Sequence, residues 1–323
     1  MRIAVVGGGG LGSVYAGKLA LSGQDVVVRT RGGHIEAIRR DGLRLEGAYS
    51  GVARPALAAS GPEIGEADLL ILATKTYDTA EVLKDIDPAS FGAVASVQNG
   101  VLKDDVLAAH FGRDKVVGCA AMVGAERTAP GVVHCTLPGE TFFGEFTGEM
   151  SPRVLAIGQA FERAGLGVDV TPRVQSIEWT KQVLQCGTAP LNTITRMPLH
   201  TMFLGPAATV YREVIIEAAA VAAAHGVTLD RHPRWGGAVA ELLECGREEG
   251  LELVRARGRA LEARGATNIR ISMQQDVAAG RRIELEETAG HIAREAQRLG
   301  IAAPYLDALC TCVRAIVAAG APV

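Results

Sequence analysis

A glycine-rich turn near the start of the chain has the clearest chemical meaning. Gly7, Gly9 and Gly12 form a G-x-G-x-x-G spacing directly after a short apolar segment and before a helical pattern. In such a turn the first glycine permits the tight bend, the second lets the backbone approach a pyrophosphate, and the third allows close helix–strand packing. The helix N-terminus offers unpaired N–H groups to phosphate. The motif therefore predicts a dinucleotide site; the alternative is a glycine-rich turn with a structural role alone.

Two arginines follow the second apolar segment, where the ribose of such a cofactor is usually recognised. NAD-binding proteins carry Asp or Glu at this position, whereas this chain reads Val28-Arg29-Thr30-Arg31. A guanidinium suits a 2′-phosphate by its charge and by its bidentate hydrogen bonding. We therefore expect NADP(H), held by Arg31. The alternative is that both arginines are surface residues and that the cofactor preference is loose.

Polar side chains also follow the next two apolar segments. Lys75 comes after residues 67–73, and Asn99 after residues 93–97. Ligands of open α/β sheets bind beyond the carboxyl ends of the strands. Lys75 would add positive charge near the cofactor phosphate, and Asn99 would hydrogen-bond ribose or nicotinamide. Either residue alone would equally suit an ordinary loop.

The second half of the chain contains further candidates for chemistry. Glu178, Lys181 and Gln185 lie near one face of a predicted helix, because their spacing is three and four residues. By spacing alone, Glu178 and Lys181 are typical of a solvated ion pair worth about 0.3–0.5 kcal/mol. Far downstream stand Ser272 and Glu284. Ser272 alone would suit a helix cap.

Together, the order and spacing of these residues resemble the ketopantoate reductase (2-dehydropantoate 2-reductase) family over nearly the whole chain. The matching pieces are the glycine motif, Lys75, Asn99-Gly100, Glu178-Trp179-x-Lys181, Ser272-Met273-x-Gln275-Asp276, Glu284 and Gly300-Ile301-x-x-Pro304. The resemblance implies an N-terminal Rossmann domain and a helical C-terminal domain, with the active site in the cleft between them. It also implies reduction of a 2-oxo acid to a 2-hydroxy acid by NADPH.

The resemblance also assigns roles to individual residues. Lys181 would be the catalytic lysine, which hydrogen-bonds the keto oxygen and donates a proton as the alkoxide develops. Glu284 would orient that lysine or bind the ribose and nicotinamide of the cofactor. Ser272 would contact the substrate carboxylate. The remaining assignments are Gly7, Gly9, Gly12, Arg31, Lys75, Asn99 and Glu284 for the cofactor, and Lys181, Ser272, Asn99 and Gln185 for the substrate, with no metal.

The chain departs from the family pattern at positions that contact the substrate in the family. The family usually has asparagines four and eight residues after the lysine, and this chain has Gln185 and Ala189. After the glutamate the family commonly reads E-I-D-x-I-N-G, and this chain reads Glu284-Leu285-Glu286-Glu287-Thr288-Ala289-Gly290. The leading expectation is reduction of ketopantoate to pantoate in pantothenate and coenzyme A biosynthesis. The alternatives are the same chemistry on another 2-oxo acid and a nucleotide-binding sensor without catalysis.

The surrounding pattern of elements predicts an α/β fold in which an all-helical C-terminal domain follows an N-terminal Rossmann-type, doubly wound sheet. Strands and helices alternate through residues 1–171, which favours parallel pairing. Residues 116–146 resemble antiparallel strands added to that sheet. Residues 172–323 are interpreted as helices, among them 178–184, 207–225, 238–263 and 283–299, with 241–264 as an extended solvated helix. Compared with the compact members of the family that the chain resembles, the helical stretch between Gly226 and Ser272 is longer.

Composition excludes several functional classes. The 323 residues fit two domains, and a net charge of −3 with 4% aromatic residues indicates no affinity for nucleic acid or anionic membranes. No apolar run reaches the ~20 residues of a membrane span. The six cysteines show no C-x-x-C spacing. We expect a cytoplasmic protein, monomeric or homodimeric, whose partner is a small-molecule 2-oxo acid.

Overall fold

The chain folds into two compact units. A computed structural model describes residues 1–232 and 237–320. The first unit comprises Met1–Gln98 and Leu102–Gln175, and the second comprises Asn99–Val101 and Ser176–Val323. The three residues Asn99–Val101 thus interrupt the first unit in sequence while making their contacts within the second.

The first unit is built on a parallel sheet. Its elements are β1 (Arg2–Val6), α1 (Gly10–Leu21), β2 (Asp25–Arg29), α2 (Gly33–Asp41), β3 (Leu43–Gly47), β4 (Gly51–Ala53), β5 (Ala56–Ala58), β6 (Ala67–Leu72), α3 (Thr79–Leu83), β7 (Phe91–Ser96), α4 (Lys103–Phe111), β8 (Gly118–Ala121), β9 (Gly124–Ala129), β10 (Val132–Leu137), β11 (Glu140–Gly144), α5 (Pro152–Arg163) and β12 (Gly167–Val170). Five parallel strands form the main sheet in the order β5-β2-β1-β6-β7. This arrangement confirms the predicted Rossmann-type sheet.

The main sheet separates two apolar cores. Ile3 and Val5 of β1 face a core that includes Tyr15, whereas Ala4 and Val6 face one that includes Phe111. Successive residues of a strand point to opposite faces, so a strand buried on both faces must be apolar throughout. Burial on both faces of the main sheet therefore explains why its strands appear in the sequence as continuous apolar segments.

Residues 116–146 contain the antiparallel pairs β8–β11 and β9–β10, as expected. They join the main sheet only through a parallel bridge between Val116 and Val94 of β7, so the prediction that these strands are added to that sheet is wrong. Two further sheets form instead, with the orders β4-β3-β10-β9 and β12-β11-β8. Strands β3 and β4 form an antiparallel hairpin, and β10 pairs with β3 in parallel. Val133 and Cys135 of β10 enter the same core as Leu43 and Leu45 of β3. A shared buried face therefore sets this pairing, and a local sequence pattern does not reveal such a face.

In its described part, the second unit contains helices and their connecting loops but no strand, as predicted. Its elements are α6 (Val174–Thr195), α7 (Leu199–Leu204), α8 (Ala207–Ala224), α9 (Gly237–Glu244), α10 (Arg247–Ala263), α11 (Ser272–Ala278), α12 (Ala289–Leu299) and α13 (Pro304–Ala318). Within residues 1–232 and 237–320, no helix has the length and apolarity that a bilayer crossing requires. The same residues contain no cluster of three or more His, Cys, Asp or Glu side chains suited to a metal ion.

Three predicted helices differ from the observed ones. Helix α6 continues past residue 184 and contains Pro190. The predicted helix 238–263 is broken before Gly246, which is the N-cap of α10. The predicted helix 283–299 begins only at Ala289. Nor is α10 solvated all round, because Gly258 faces α7 so closely that a Cβ there would lie 3.1 Å from the carbonyl oxygen of His200.

Candidate functional site

The glycine turn between β1 and α1 is shaped by close backbone contacts. Gly7 has a φ of +114°, and a Cβ atom there would lie 2.6 Å from the backbone nitrogen of Thr74. A Cβ on Gly12 would lie 2.0 Å from the carbonyl oxygen of Gly7, whereas a Cβ on Gly9 would meet no atom within 4 Å. Gly9 is the N-cap of α1, and no side chain caps that helix. The open space and uncapped amides fit a pyrophosphate.

The two intervening glycines also have steric roles, which the sequence analysis missed. A Cβ on Gly8 would lie 2.5 Å from Oγ1 of Thr30, and a Cβ on Gly10 would lie 2.4 Å from the carbonyl oxygen of Ala125. The signal was available as a run of four consecutive glycines. Such a run indicates that neighbouring elements approach the turn on several sides.

A buried histidine supports this turn. His34 is 3% exposed, and its Nδ1 accepts a hydrogen bond from the N–H of Gly131 at 2.9 Å. Its Nε2 therefore carries the proton and donates to Oγ of Ser13 on α1 at 3.3 Å. Burial, and then the charge of Arg127, lowers the pKa of His34 to about 4. The imidazole is thus neutral near pH 7 and joins α1 to the β9–β10 turn.

A glutamine that the sequence analysis assigned no role organises the ends of β6 and β7. The Gln98 amide donates to the carbonyl oxygen of Thr74 at 3.0 Å and to Oγ1 of Thr79 at 2.8 Å. Its carbonyl oxygen accepts from Oγ of Ser96 at 2.9 Å. This buried network fixes the loop that contains the half-buried Lys75.

The two arginines after β2 have different surroundings. Arg29 donates to both carboxylate oxygens of Asp85, at 2.7 and 3.0 Å, and to the carbonyl oxygen of Val82. The hydrogen bonds of its guanidinium are therefore made to other residues of the first unit. Arg31 is exposed in the loop between β2 and α2, and in the described part of the chain it has no ion pair. Of the pair, Arg31 is the one placed to meet an anion.

In the second unit, helix α6 and the segment Asn99–Val101 come together. Lys181 is half-buried and lies one turn before Gln185, so both occupy the same face of α6. Nε2 of Gln185 donates to Oδ1 of Asn99 at 2.8 Å. Oε1 of Gln185 is buried and accepts no hydrogen bond from the described residues. Lys181, Gln185 and Asn99 thus form one polar cluster.

The segment of Glu284 lies beside the same cluster. Gly100 has a φ of +89°, and a Cβ there would lie 2.6 Å from the carbonyl oxygen of Glu287. The hydroxyl of Thr288 donates to the carbonyl oxygen of Glu284 at 2.5 Å, and Glu284 is 8% exposed. Two residues of the family motif, Asn99 and Gly100, are therefore flanked by Gln185 on one side and by this segment on the other.

Ser272 lies near the other end of α6. It is the exposed first residue of α11, whose N-cap is Ile271, so the simple expectation of a serine cap is wrong. Oδ1 of Asn192 accepts from the N–H of Ile271 at 3.0 Å, which anchors α11 to the end of α6. Asn192 lies about 16 Å along the helix axis from Lys181.

Comparison with known proteins identifies the family. The chain matches the family described as Ketopantoate reductase PanE/ApbA over residues 3–148 and its C-terminal counterpart over residues 173–317. It is 32% identical over 321 residues to a 2-dehydropantoate 2-reductase of Halobacterium salinarum, covering 97% of this chain and 98% of that protein. The chain belongs to the ketopantoate reductase family. The predicted resemblance is confirmed, and the family is one of oxidoreductases that act on 2-oxo acids.

Solved structures of the ketopantoate reductase family share the fold. A PanE/ApbA family ketopantoate reductase from Ralstonia eutropha has a TM-score of 0.82 at 27% identity and covers 99% of both chains. A 2-dehydropantoate 2-reductase from Methylococcus capsulatus has a TM-score of 0.81 at 26% identity, covering 99% of this chain and 98% of that one. A D-mandelate dehydrogenase with NADH and anilino(oxo)acetate has a TM-score of 0.82 at 21% identity, which indicates the fold alone.

Proposed function

We propose that this protein reduces a 2-oxo acid to the corresponding 2-hydroxy acid with NADPH, and that ketopantoate is its substrate. The product would be pantoate, a precursor of pantothenate and coenzyme A. The observation that carries the proposal is the cluster of Lys181, Gln185 and Asn99, joined by the 2.8 Å hydrogen bond between the two amides. In this proposal, the Lys181 cation lies one helical turn from two polar groups that can hold a substrate.

Lys181 is the proton donor in this proposal. When bound, the cofactor supplies a hydride to the carbonyl carbon of the substrate. The Lys181 ammonium hydrogen-bonds the carbonyl oxygen and transfers a proton to it as negative charge develops there. A cation already in place stabilises the alkoxide more than the neutral ketone, so the interaction lowers the barrier.

Glu284 is a buried carboxyl group near the same cluster, and we assign it a positioning role. Its segment packs on Gly100, directly after Asn99. A buried carboxylate is stabilised only by hydrogen bonds or a cation, so it restricts whatever donor it meets to one orientation. The donors proposed for it are Lys181 and the ribose hydroxyls of the cofactor.

On the cofactor side, the first unit supplies the proposed contacts. The backbone of the glycine turn and the N-terminus of α1 would hold the pyrophosphate, because Gly9 leaves the space open. Lys75 would add a positive charge from the end of β6. Arg31 would pair with the 2′-phosphate that distinguishes NADPH from NADH.

The substrate preference follows from two positions on α6. The buried Oε1 of Gln185 requires a hydrogen-bond donor, and the 4-hydroxyl group of ketopantoate is such a donor. Ala189, one turn further on, offers no polar side-chain atom. A 2-oxo acid with an apolar side chain is therefore the second candidate substrate.

Steady-state oxidation of NADPH tests the proposal. The panel contains ketopantoate, 3,3-dimethyl-2-oxobutanoate as a matched control that lacks only the hydroxyl group, and benzoylformate as an apolar 2-oxo acid. Ketopantoate should exceed its matched control in kcat/KM by at least about tenfold, because the control leaves Oε1 of Gln185 unpaired. Greater activity on the apolar acids would favour the second candidate. Binding of NADPH without turnover of any 2-oxo acid would contradict the enzyme assignment.

A further inference from the structure

A second arginine lies close to the glycine turn, on a strand outside the family motif. Arg127 is an exposed residue of β9. In residues 1–232 and 237–320, neither Arg127 nor Arg31 forms an ion pair. Other arginines of the first unit are paired, such as Arg29 with Asp85 and Arg153 with Glu145. Arg127 and Arg31 thus differ from Arg29 and Arg153, because no carboxylate of the described residues neutralises their charge.

The start of α1 lies directly against β9. A Cβ on Gly10 would lie 2.4 Å from the carbonyl oxygen of Ala125 and 2.8 Å from Cα of Glu126. Arg127 follows two residues after Ala125 on the same strand. The backbone that bears Arg127 is thus adjacent to the helix terminus where the pyrophosphate is proposed to bind.

Strand register gives the direction of the Arg127 side chain. Arg127 pairs with Val133 and Glu126 pairs with His134 across the antiparallel β9–β10 ladder. Directly opposed residues share a face, and Val133 is fully buried in the core that also contains Val14 of α1. Arg127 therefore projects from the face of the sheet that packs on α1. The neighbouring carboxylate of Glu126 projects from the opposite face.

His34 connects this face to the loop of Arg31. A Cβ on Gly8 would lie 3.2 Å from Cδ2 of His34, and Gly8 also contacts Thr30, the residue before Arg31. Arg127 lies near enough to His34 for its charge to affect the imidazole. The backbone segments that bear Arg127 and Arg31 thus both neighbour the glycine turn, one from β9 and one from the end of β2.

We propose that Arg127 and Arg31 together bind the 2′-phosphate of NADPH, so that Arg127 is a second determinant of cofactor specificity. This inference rests on the proposed NADPH dependence. A phosphate monoester carries close to two negative charges near pH 7 and has three acceptor oxygens. Two guanidiniums from separate elements match both the charge and the number of acceptors better than one.

Dissociation constants of NADPH and NADH, measured by fluorescence titration without substrate, test the inference. We expect Arg127→Ala and Arg31→Ala each to weaken NADPH binding about 10- to 100-fold, because each removes charge-assisted hydrogen bonds. NADH binding should change less than about threefold in both variants. Arg163→Ala is the matched control, since Arg163 is an exposed arginine at the end of α5 that has no ion pair among the described residues. It should bind both cofactors as the unchanged protein does.

Three outcomes separate this inference from the proposed function. Equal effects of Arg127→Ala on NADPH and NADH, or no effect on either, would overturn the role of Arg127 while the unchanged protein still prefers NADPH. A protein that binds both cofactors equally before any substitution would instead overturn the proposed NADPH dependence itself. Arg127→Lys keeps the charge and should retain part of the preference for NADPH, which supports the proposal if the alanine variant folds poorly.

Discussion

The two candidate sites, the glycine turn and the cluster on α6, differ in the atoms that form them. The glycine turn is shaped by backbone atoms, and a Cβ on Gly12 would lie only 2.0 Å from the carbonyl oxygen of Gly7. The cluster on α6 is shaped by side chains, among them Lys181 and Gln185, and Oε1 of Gln185 accepts no hydrogen bond from any residue that the structure describes. A backbone site admits few residue types, whereas amide side chains can be exchanged with a change of ligand. The cofactor class is therefore easier to read from a sequence than the substrate.

The largest expected effect is on the side-chain site. Lys181→Ala should lower kcat by about 1,000-fold, equivalent to about 4 kcal/mol of transition-state stabilisation. The dissociation constant of NADPH should change little, because the proposed phosphate contacts belong to the first unit. Stopped-flow turnover and a cofactor titration measure the two quantities, with the exposed Lys84 changed to Ala as a control. If Lys181→Ala keeps a tenth of the kcat of the unchanged protein, Lys181 is not the proton donor.

The backbone site can be tested with a pair of glycine variants. Gly12→Ala should lower the free energy of unfolding by about 1–3 kcal/mol, because its Cβ has no space. Gly9→Ala should cost less than about 1 kcal/mol in stability yet still weaken NADPH binding at least tenfold, because its Cβ would enter the space proposed for the pyrophosphate.

Denaturant unfolding and NADPH titration of both glycine variants provide the measurements. If Gly9→Ala binds the cofactor as well as the unchanged protein does, the pyrophosphate does not occupy that space. If Gly12→Ala is as stable as the unchanged protein, close backbone packing does not define this site, and the contrast between the two sites fails.

A smaller effect is expected at the amide pair. Gln185→Ala should raise KM for the 2-oxo acid about tenfold, equivalent to about 1.4 kcal/mol, because it removes a substrate contact and leaves Oδ1 of Asn99 unpaired. Gln182→Ala is the matched control on the same helix. Its Oε1 is likewise buried and accepts no hydrogen bond from the described residues, but its Nε2 donates to Sγ of Cys186 and not to Asn99. It should reduce stability without changing KM. Equal KM values for the two variants would show that Gln185 is structural only.

The smallest expected effect concerns His34 and depends on pH. Burial lowers its pKa to about 4 in the folded protein, so between pH 6.5 and 4 the unfolded chain binds more protons at this position than the folded one. Stability due to neutral His34 is therefore lost as the pH falls through that range. His34→Gln should be about 1 kcal/mol less stable than the unchanged protein at pH 7. The unchanged protein should lose about 2 kcal/mol between pH 7 and pH 4.5 through this group, so that gap should close and reverse in denaturant titrations. A constant gap would contradict the assignment.

The sequence predicted the elements whose pattern is local. The parallel strands around the glycine turn are apolar on both faces, and that pattern does not depend on distant residues. The pairing of β10 with β3 was missed because it joins segments about 90 residues apart through a common buried face. The continuation of α6 was also missed, because Pro190 normally interrupts a helix. Hydroxyl groups of Thr188 and Thr193, which bond to carbonyls one turn back, accompany that continuation.

For the candidate sites, sequence identified residues but not their contacts. Spacing placed Lys181 and Gln185 on one helical face, yet the hydrogen bond to Asn99 joins residues 86 positions apart. The roles of Gln98 and His34 depend on partners from several elements, so their local context gave no signal. The assignment of these residues to cofactor and substrate stays a prediction until the variants above are measured.

The excursion of Asn99–Val101 into the second unit has a consequence for protein engineering. Two separate segments of the chain belong to that unit, Asn99–Val101 and Ser176–Val323. Dividing the chain at a single position therefore cannot yield two intact units. A fragment that begins at Ser176 would lack the amide that pairs with Gln185. Anyone grafting the helical unit onto a different nucleotide-binding scaffold must therefore transplant Asn99-Gly100 along with it. Such a chimera would need two splice points rather than one.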